Sequence, residues 1–318
     1  MTRLKSCIPA ILALCVAVGA APARADDVLK IAVTQRGAWD TSIAELGKTS
    51  GIFKKYGLDV QVLWTQAGPE AIQALIAGSV DIAAGAGITA AIGTISKGAP
   101  ARIIGSEIQG APDQYWYVPA DSPVKSIADM NDRTISYSLP GSSSNAAAQA
   151  LITQYKLNSR TAATGSIVST LTQVLTKQVD VGFSALPFFL DKVEAGEIRI
   201  VATGEDVAVL KTRTGRVNLA NLSALQTKRD ALARFNAAYR DTVNWMYDDP
   251  AALKTFADFA GLPVSVLGKL RTLIPRGSVL PGGIIGVEQV IAEALQGKFI
   301  AASVTPAEVA AMVDIPTK

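Results

Sequence analysis

Apolar residues alternate between two periods along most of this chain. Val28–Val33 reads as a buried strand, and Thr41–Lys54 as a helix with Ile43, Leu46 and Phe53 on one side. In Leu58–Leu63 the positions Leu58, Val60 and Val62 alternate with Asp59 and Gln61, the signature of a half-buried strand. Pro69–Ala77 follows as a helix, with Pro and Glu70 in its first turn and Gly78 closing it. A third strand is predicted at Val80–Ala84. A βαβαβ opening implies parallel strands joined by right-handed crossovers.

The pattern then repeats. Thr134–Ser138 and Val179–Phe183 read as strands, Ser142–Tyr155 and Ile167–Thr176 as helices. Leu75–Asp81 resembles Val174–Asp180, so two α/β lobes of one plan are the simplest account. Linkers are predicted at Gly110–Gln114 and Gly204–Asp206. From Thr227 the periodicity is helical: Asp230–Tyr247, Pro250–Ala260, Ser265–Leu273, Val287–Leu295 and Pro306–Met312 form a helical cap and not a third lobe. The predicted division is residues 26–114 with 206–318 for lobe 1 and 115–205 for lobe 2.

The start of the chain is of another kind. Arg3 and Lys5 precede an apolar run from Cys7 to Ala21, and Ala23-Arg24-Ala25 fits a small-x-small cleavage site. The run is too short for a bilayer, which takes about 20 apolar residues, and no later run is long enough. Residues 1–25 are expected to be a cleaved secretory signal; Leu14 before Cys15 argues against a lipid anchor. Cleavage removes three of the 30 basic residues and leaves 27 against 27 acidic ones. It also removes both cysteines. A neutral exported chain has neither disulfide nor a basic footprint for nucleic acid or anionic membrane. With no histidine anywhere, a Ser-His-Asp triad, a Cys-His pair and a histidine metal site are excluded.

In open parallel sheets, ligands bind beyond the carboxyl ends of the strands. There this chain carries Gln35, Arg36 and Trp39; Gly85, Ala86, Gly87 and Thr89; Ser142, Ser143, Ser144 and Asn145; then Ser184 and Ala185. Small and hydroxylic residues ahead of helices free backbone N–H groups for an anion. The plainer role of any one Ser or Asn is N-capping, but three serines exceed the needs of one cap. Trp39 is a candidate to stack on a ligand or to anchor its loop, and Arg36 to pair with an acid or to sit in solvent. Trp116 reads as hinge or core packing. Gly85-x-Gly87-x-x-Ala90, with Glu107 beyond it, mimics a dinucleotide fingerprint but follows the third strand of its unit. Ser122-x-x-Lys125, Ser143-x-Asn145 and Lys211-Thr212-Arg213 mimic serine β-lactamase elements, yet Pro123 follows Ser122 and Arg213 stands in place of Gly. No paired carboxylates are expected where the strand-end loops converge.

Several of these segments stand in the order found in one family. Gln35–Trp39, Gly51-Ile52-Phe53-Lys54-Lys55-Tyr56-Gly57-Leu58, Leu75-x-x-Gly78-x-Val80-Asp81, Gly141–Ser144, Val179-Asp180 with Pro187, and Tyr247–Ala252 run through the chain after the signal. In this it resembles the nitrate/sulfonate/taurine-type substrate-binding proteins of ABC importers, relatives of the thiamine-pyrimidine synthases. The synthases' chemistry draws on histidine, absent here. The resemblance implies a type II periplasmic-binding fold with ligand clamped between lobes, contacts at Gln35, Trp39, Gly85–Thr89, Ser142–Asn145 and Ser184–Pro187, and hinge closure that presents the loaded form to a permease. Ala185 and Leu186 replace the aromatic and acidic residues common in sulfonate binders, and Lys177 replaces a glycine. The first change favours a bulkier, partly apolar anion over taurine. The expectation is a monomeric periplasmic receptor for a small organic anion, with no cofactor, metal or reaction. A neutral heterocycle, a sensor-type receptor and an exported serine enzyme are the alternatives.

Overall fold

The computed structural model describes residues 26–317, and the predicted signal lies outside them. The strands are β1 (Asp27–Thr34), β2 (Leu58–Thr65), β3 (Ile82–Gly87), β4 (Ala101–Gln109), β5 (Gln114–Pro119), β6 (Thr134–Tyr137), β7 (Arg160–Ala163), β8 (Gly182–Ala185), β9 (Ile198–Thr203) and β10 (Thr214–Asn221). Five form one sheet in the order β2-β1-β3-β10-β4. β1 runs parallel to β2 and β3, whereas β10 is antiparallel to both neighbours. Leu29, Ile31 and Val33 of β1 face one apolar cluster and Ala32 faces another, so the sheet is covered on both sides.

The second lobe repeats this plan. β8-β5-β9 is antiparallel, β6-β7 is parallel, and a bridge at Ile135–Val181 joins them. The combined order β7-β6-β8-β5-β9 matches β2-β1-β3-β10-β4, with one antiparallel strand inserted into each sheet by a chain crossing from the other lobe. The crossings run from β4 to β5 and from β9 to β10.

The repeated Val-Asp has a physical reason. Asp81 accepts the Lys30 N–H at 2.9 Å, and Asp180 accepts the Thr134 N–H at 2.8 Å. Each carboxylate thereby ties the approach to one strand to the equivalent strand beside it, β1 in one lobe and β6 in the other. The preceding helix in each lobe leads into a left-handed residue, Gly78 (φ 72°) in one and Lys177 (φ 59°) in the other. Glycine adopts that conformation without a Cβ clash, while lysine pays about 1 kcal/mol.

The carboxy-terminal helices cover lobe 1. Helix Arg229–Asp248 buries Leu232, Phe235, Tyr239, Val243 and Met246, one stripe at helical spacing, against the β1 side of the sheet. Each such side chain contributes about 1.5–3 kcal/mol of burial. Val287–Gln296 packs Val290, Ile291 and Ala294 on the opposite side, against helix Ile88–Ser96.

Several boundaries differ from the sequence reading. The helix expected at Thr41–Lys54 is two, Ile43–Thr49 and Ile52–Lys55, because Gly51 takes φ 77° between them. Ser265–Leu273 likewise divides into Val264–Leu267 and Leu270–Leu273. Strands β4, β5, β7, β9 and β10 went unread. β10 carries Arg216 and Asn218 and β4 carries Glu107 inside the protein, which dilutes the apolar signal of a buried strand.

Candidate functional site

The two lobes meet across the carboxyl ends of β1–β3 and β6–β8. Gly87 of β3 lies so near the second lobe that a Cβ there would stand 3.1 Å from the Ser143 nitrogen. The Trp39 N–H donates to the Leu186 carbonyl at 3.2 Å across the same junction.

Gln35 occupies a left-handed bend (φ 51°), held by its N–H on the Thr65 carbonyl at 3.0 Å and by the Thr41 hydroxyl on its own carbonyl at 3.0 Å. Its neighbour Arg36 is exposed, with the guanidinium 4.5 Å above the Phe259 ring. Both line a cavity of 430 Å³ between the lobes, with Trp64 and Gln66 on one side and Ser166, Val168 and Phe188 on the other. Ser166 caps helix Ile167–Leu175, whose first N–H groups have no partner inside the helix and whose positive dipole end faces the cavity. The cavity thus joins one cation and a helix start to aromatic walls. A cavity of 500 Å³ also lies between the lobes, with helix Ser143–Tyr155 on one side and the Glu293–Phe299 stretch on the other, and includes Asn145 alone of the candidate residues.

Other candidates take different places. Trp39 has no exposed surface: its indole N–H donates to the Tyr247 hydroxyl at 3.1 Å and its ring meets Phe256 edge-on at 5.0 Å. Stacking on a ligand is therefore corrected to core anchoring, because helices Arg229–Asp248 and Pro250–Ala260 close over the ring. Gly85, Ala86 and Gly87 are the last residues of β3 and not a turn. A Cβ on Gly85 (φ 80°) would sit 2.7 Å from the Thr34 hydroxyl, so glycine is required there. The Ala86 and Thr89 side chains are buried, as are Ser184 and Ala185 on β8. Leu186 is buried too, and the aromatic wall on this side of the 430 Å³ cavity is Phe188.

The serine turn mostly closes on itself. The Ser142 hydroxyl accepts the Asn145 N–H at 3.2 Å and lies 2.9 Å from the Ser144 hydroxyl. Ser144 in turn accepts the Ser138 N–H at 3.1 Å, and Asn145 Oδ1 accepts the Gly141 N–H at 3.3 Å. Of these serines, Ser143 reaches the other lobe, accepting from Arg216 Nη1 at 3.4 Å, and it also accepts from Gln114 Nε2 of β5 at 3.2 Å.

Arg216 leads to a group that the sequence reading missed. Its Nε donates to Glu107 at 2.8 Å, Nη1 to Asp113 at 3.0 Å and Nη2 to Asp40, all four residues being at most 5% exposed. Three carboxylates do converge at the strand ends, against expectation. Burial pushes Asp40 up to about 7, with Arg216 opposing and Glu107 reinforcing the rise. Burial also raises Asp113 to about 6, again against Arg216. Burial works against the Arg216 charge as well, but Asp113, Glu107 and Asp40 outweigh it and hold the guanidinium protonated. One oxygen of each carboxylate, Asp40 Oδ1 and Glu107 Oε1, is buried without a hydrogen-bond donor, and the nearby Glu107 charge favours the protonated form of Asp40. Asp113 Oδ1 and Gln114 Oε1 accept no hydrogen bond. The period-2 run Arg216-Val217-Asn218-Leu219 was the available signal, though it reads equally as a strand with a wet face.

Two α/β sheets, each completed by an antiparallel strand from the opposite crossing, with a cavity at the junction, define the two-lobed periplasmic-binding-protein fold of type II. Residues 44–253 match the model of the family described as NMT1/THI5 like, and the chain belongs to that family. No curated protein sequence matches the chain. Among solved structures it is similar to the alkanesulfonate-binding protein SsuA from Xanthomonas axonopodis pv. citri bound to MOPS, at 20% identity, TM-score 0.73, 90% of this chain and 99% of that one. The periplasmic nitrate-binding protein NrtA from Synechocystis PCC 6803 is similar at 14% identity and TM-score 0.69, over 90% and 85% of the two chains. The desulfurization enzyme DSZB aligns at 14% identity and TM-score 0.63, over 91% and 96%. Among the described residues no helix is long and apolar enough to cross a membrane.

Proposed function

We propose that this chain is a periplasmic solute receptor that captures a small organic anion, aromatic in part, and delivers it to the permease of an ABC importer without reaction. The 430 Å³ cavity carries this reading: Arg36 and the start of helix Ile167–Leu175 suit a carboxylate or sulfonate, and Trp64 and Phe188 suit a planar body. The crossings after β4 and β9 support the expected division of 26–114 with 206–318 against 115–205, with the first boundary just before β5, which begins at Gln114. Hinge motion at those crossings would open and close the cavity on a monomer.

A thermal-shift screen of the ligand-stripped protein tests this. A ligand at 100 times its Kd adds about 2.7 kcal/mol of stability. Aromatic carboxylates or sulfonates should raise Tm, and Arg36→Ala should remove the rise. Hits confined to taurine or nitrate would sink the aromatic part, and turnover of a hit would sink the receptor. A second reading, a neutral heterocycle rich in N–H donors, is favoured by the free acceptors Asp113 Oδ1 and Gln114 Oε1. It predicts hits among aminopyrimidines that survive Arg36→Ala.

A further inference from the structure

The cluster around Arg216 is assembled from both lobes. Asp40 follows β1, Glu107 lies near the end of β4 and Arg216 near the start of β10. Ser143 opens the helix after β6, and Gln114 begins β5. Asp113 moves with the second sheet, because its carbonyl accepts the Leu186 N–H at 2.8 Å. Parting the lobes would therefore take Ser143, Gln114 and Asp113 away from Arg216 and admit water to Asp40 and Glu107.

We propose that this cluster is a proton-operated latch: closing the lobes loads one proton from solvent onto Asp40, and opening them releases it. Closed, three carboxylates share a single guanidinium away from water, an excess of negative charge that burial does not tolerate. Open, each carboxylate is hydrated and holds its charge without penalty. A proton that binds the closed form more tightly must favour that form as pH falls.

Arg216 faces Asp40 from β10, Glu107 from β4, Asp113 from the crossing, and Tyr239 and Tyr247 from helix Arg229–Asp248. Burial raises Tyr239 far above the usual range and Tyr247 to about 12, so neither titrates near neutrality. The upper end of the window is set by Asp40, near pH 7.

The test needs no ligand, so it stands apart from the receptor reading. The chain after residue 25 has no cysteine, and Leu63 on β2 and Leu175 on the other lobe are exposed. Spin labels on Leu63→Cys and Leu175→Cys report lobe separation by pulsed dipolar spectroscopy. At about pH 5 the short distance should dominate, and at about pH 8 a longer one should grow in. Asp40→Asn, which keeps the shape and supplies a permanent N–H donor, should hold the short distance at both pH values. If Asp40→Asn does not fold, Glu107→Gln serves as the same test. A wild-type distance distribution that ignores pH, or a neutralised variant that keeps the full response, overturns the latch.

Discussion

The junction holds two polar clusters, one within lobe 2 and one centred on lobe 1 but joined by residues of the other lobe, and they are opposite in kind. In lobe 2, Ser138, Ser142, Ser144 and Asn145 spend their hydrogen bonds on each other and on their own backbone. In lobe 1, Asp40 and Glu107 gather with Asp113 around Arg216, with more negative charge than the guanidinium balances and carboxylate oxygens left without a donor. A closed polar cluster fixes a backbone. An open, charged one stores energy that a proton or a partner releases. Sequence reading expected the serines among the ligand contacts and no paired carboxylates at the junction.

Breaking the charged cluster should have the largest effect. Arg216→Met leaves buried carboxylates without a cation and should cost about 3–5 kcal/mol of unfolding free energy in a denaturant titration. Next comes pH. The folded form holds a proton on Asp40 up to about pH 7, whereas the unfolded chain releases it near 3.8. The native state therefore binds more protons in that window, so stability should fall as pH rises from about 4 to about 7 and level off above. Melting across that range should show the slope, and Asp40→Asn should reduce it to the share that Asp113 contributes up to about pH 6. Ser142→Ala removes an N-cap and a link to Ser144, and should cost about 1 kcal/mol with no change in the pH slope. Smallest is a repair. Lys177→Gly relieves the left-handed residue that lobe 1 fills with Gly78, and should raise stability by about 0.5–1 kcal/mol in the same titration.

Most of lobe 1's opening was legible because β1 and β2 obey their patterns on both faces or in alternation. Helix Pro250–Ala260 was read to the residue, as a proline after a capping aspartate starts it and Gly261 (φ 70°) ends it. Trp39 was legible as important but not as to role, because a loop tryptophan looks the same whether it faces a ligand or Phe256. Arg216 and Glu107 were invisible as partners. They lie 109 residues apart, and nothing local distinguishes a polar residue facing water from one facing a buried charge.

Local spacing therefore determined what each segment would become: the strand periods, the caps, the repeated Val-Asp turn and the helical tail. The tertiary structure decided which polar residues lost their water. Burial and convergence of charge arise only when β4, β10, the crossing and two loops from different lobes are brought within hydrogen-bond reach. Those two conditions set the chemistry of Asp40, Asp113 and Arg216.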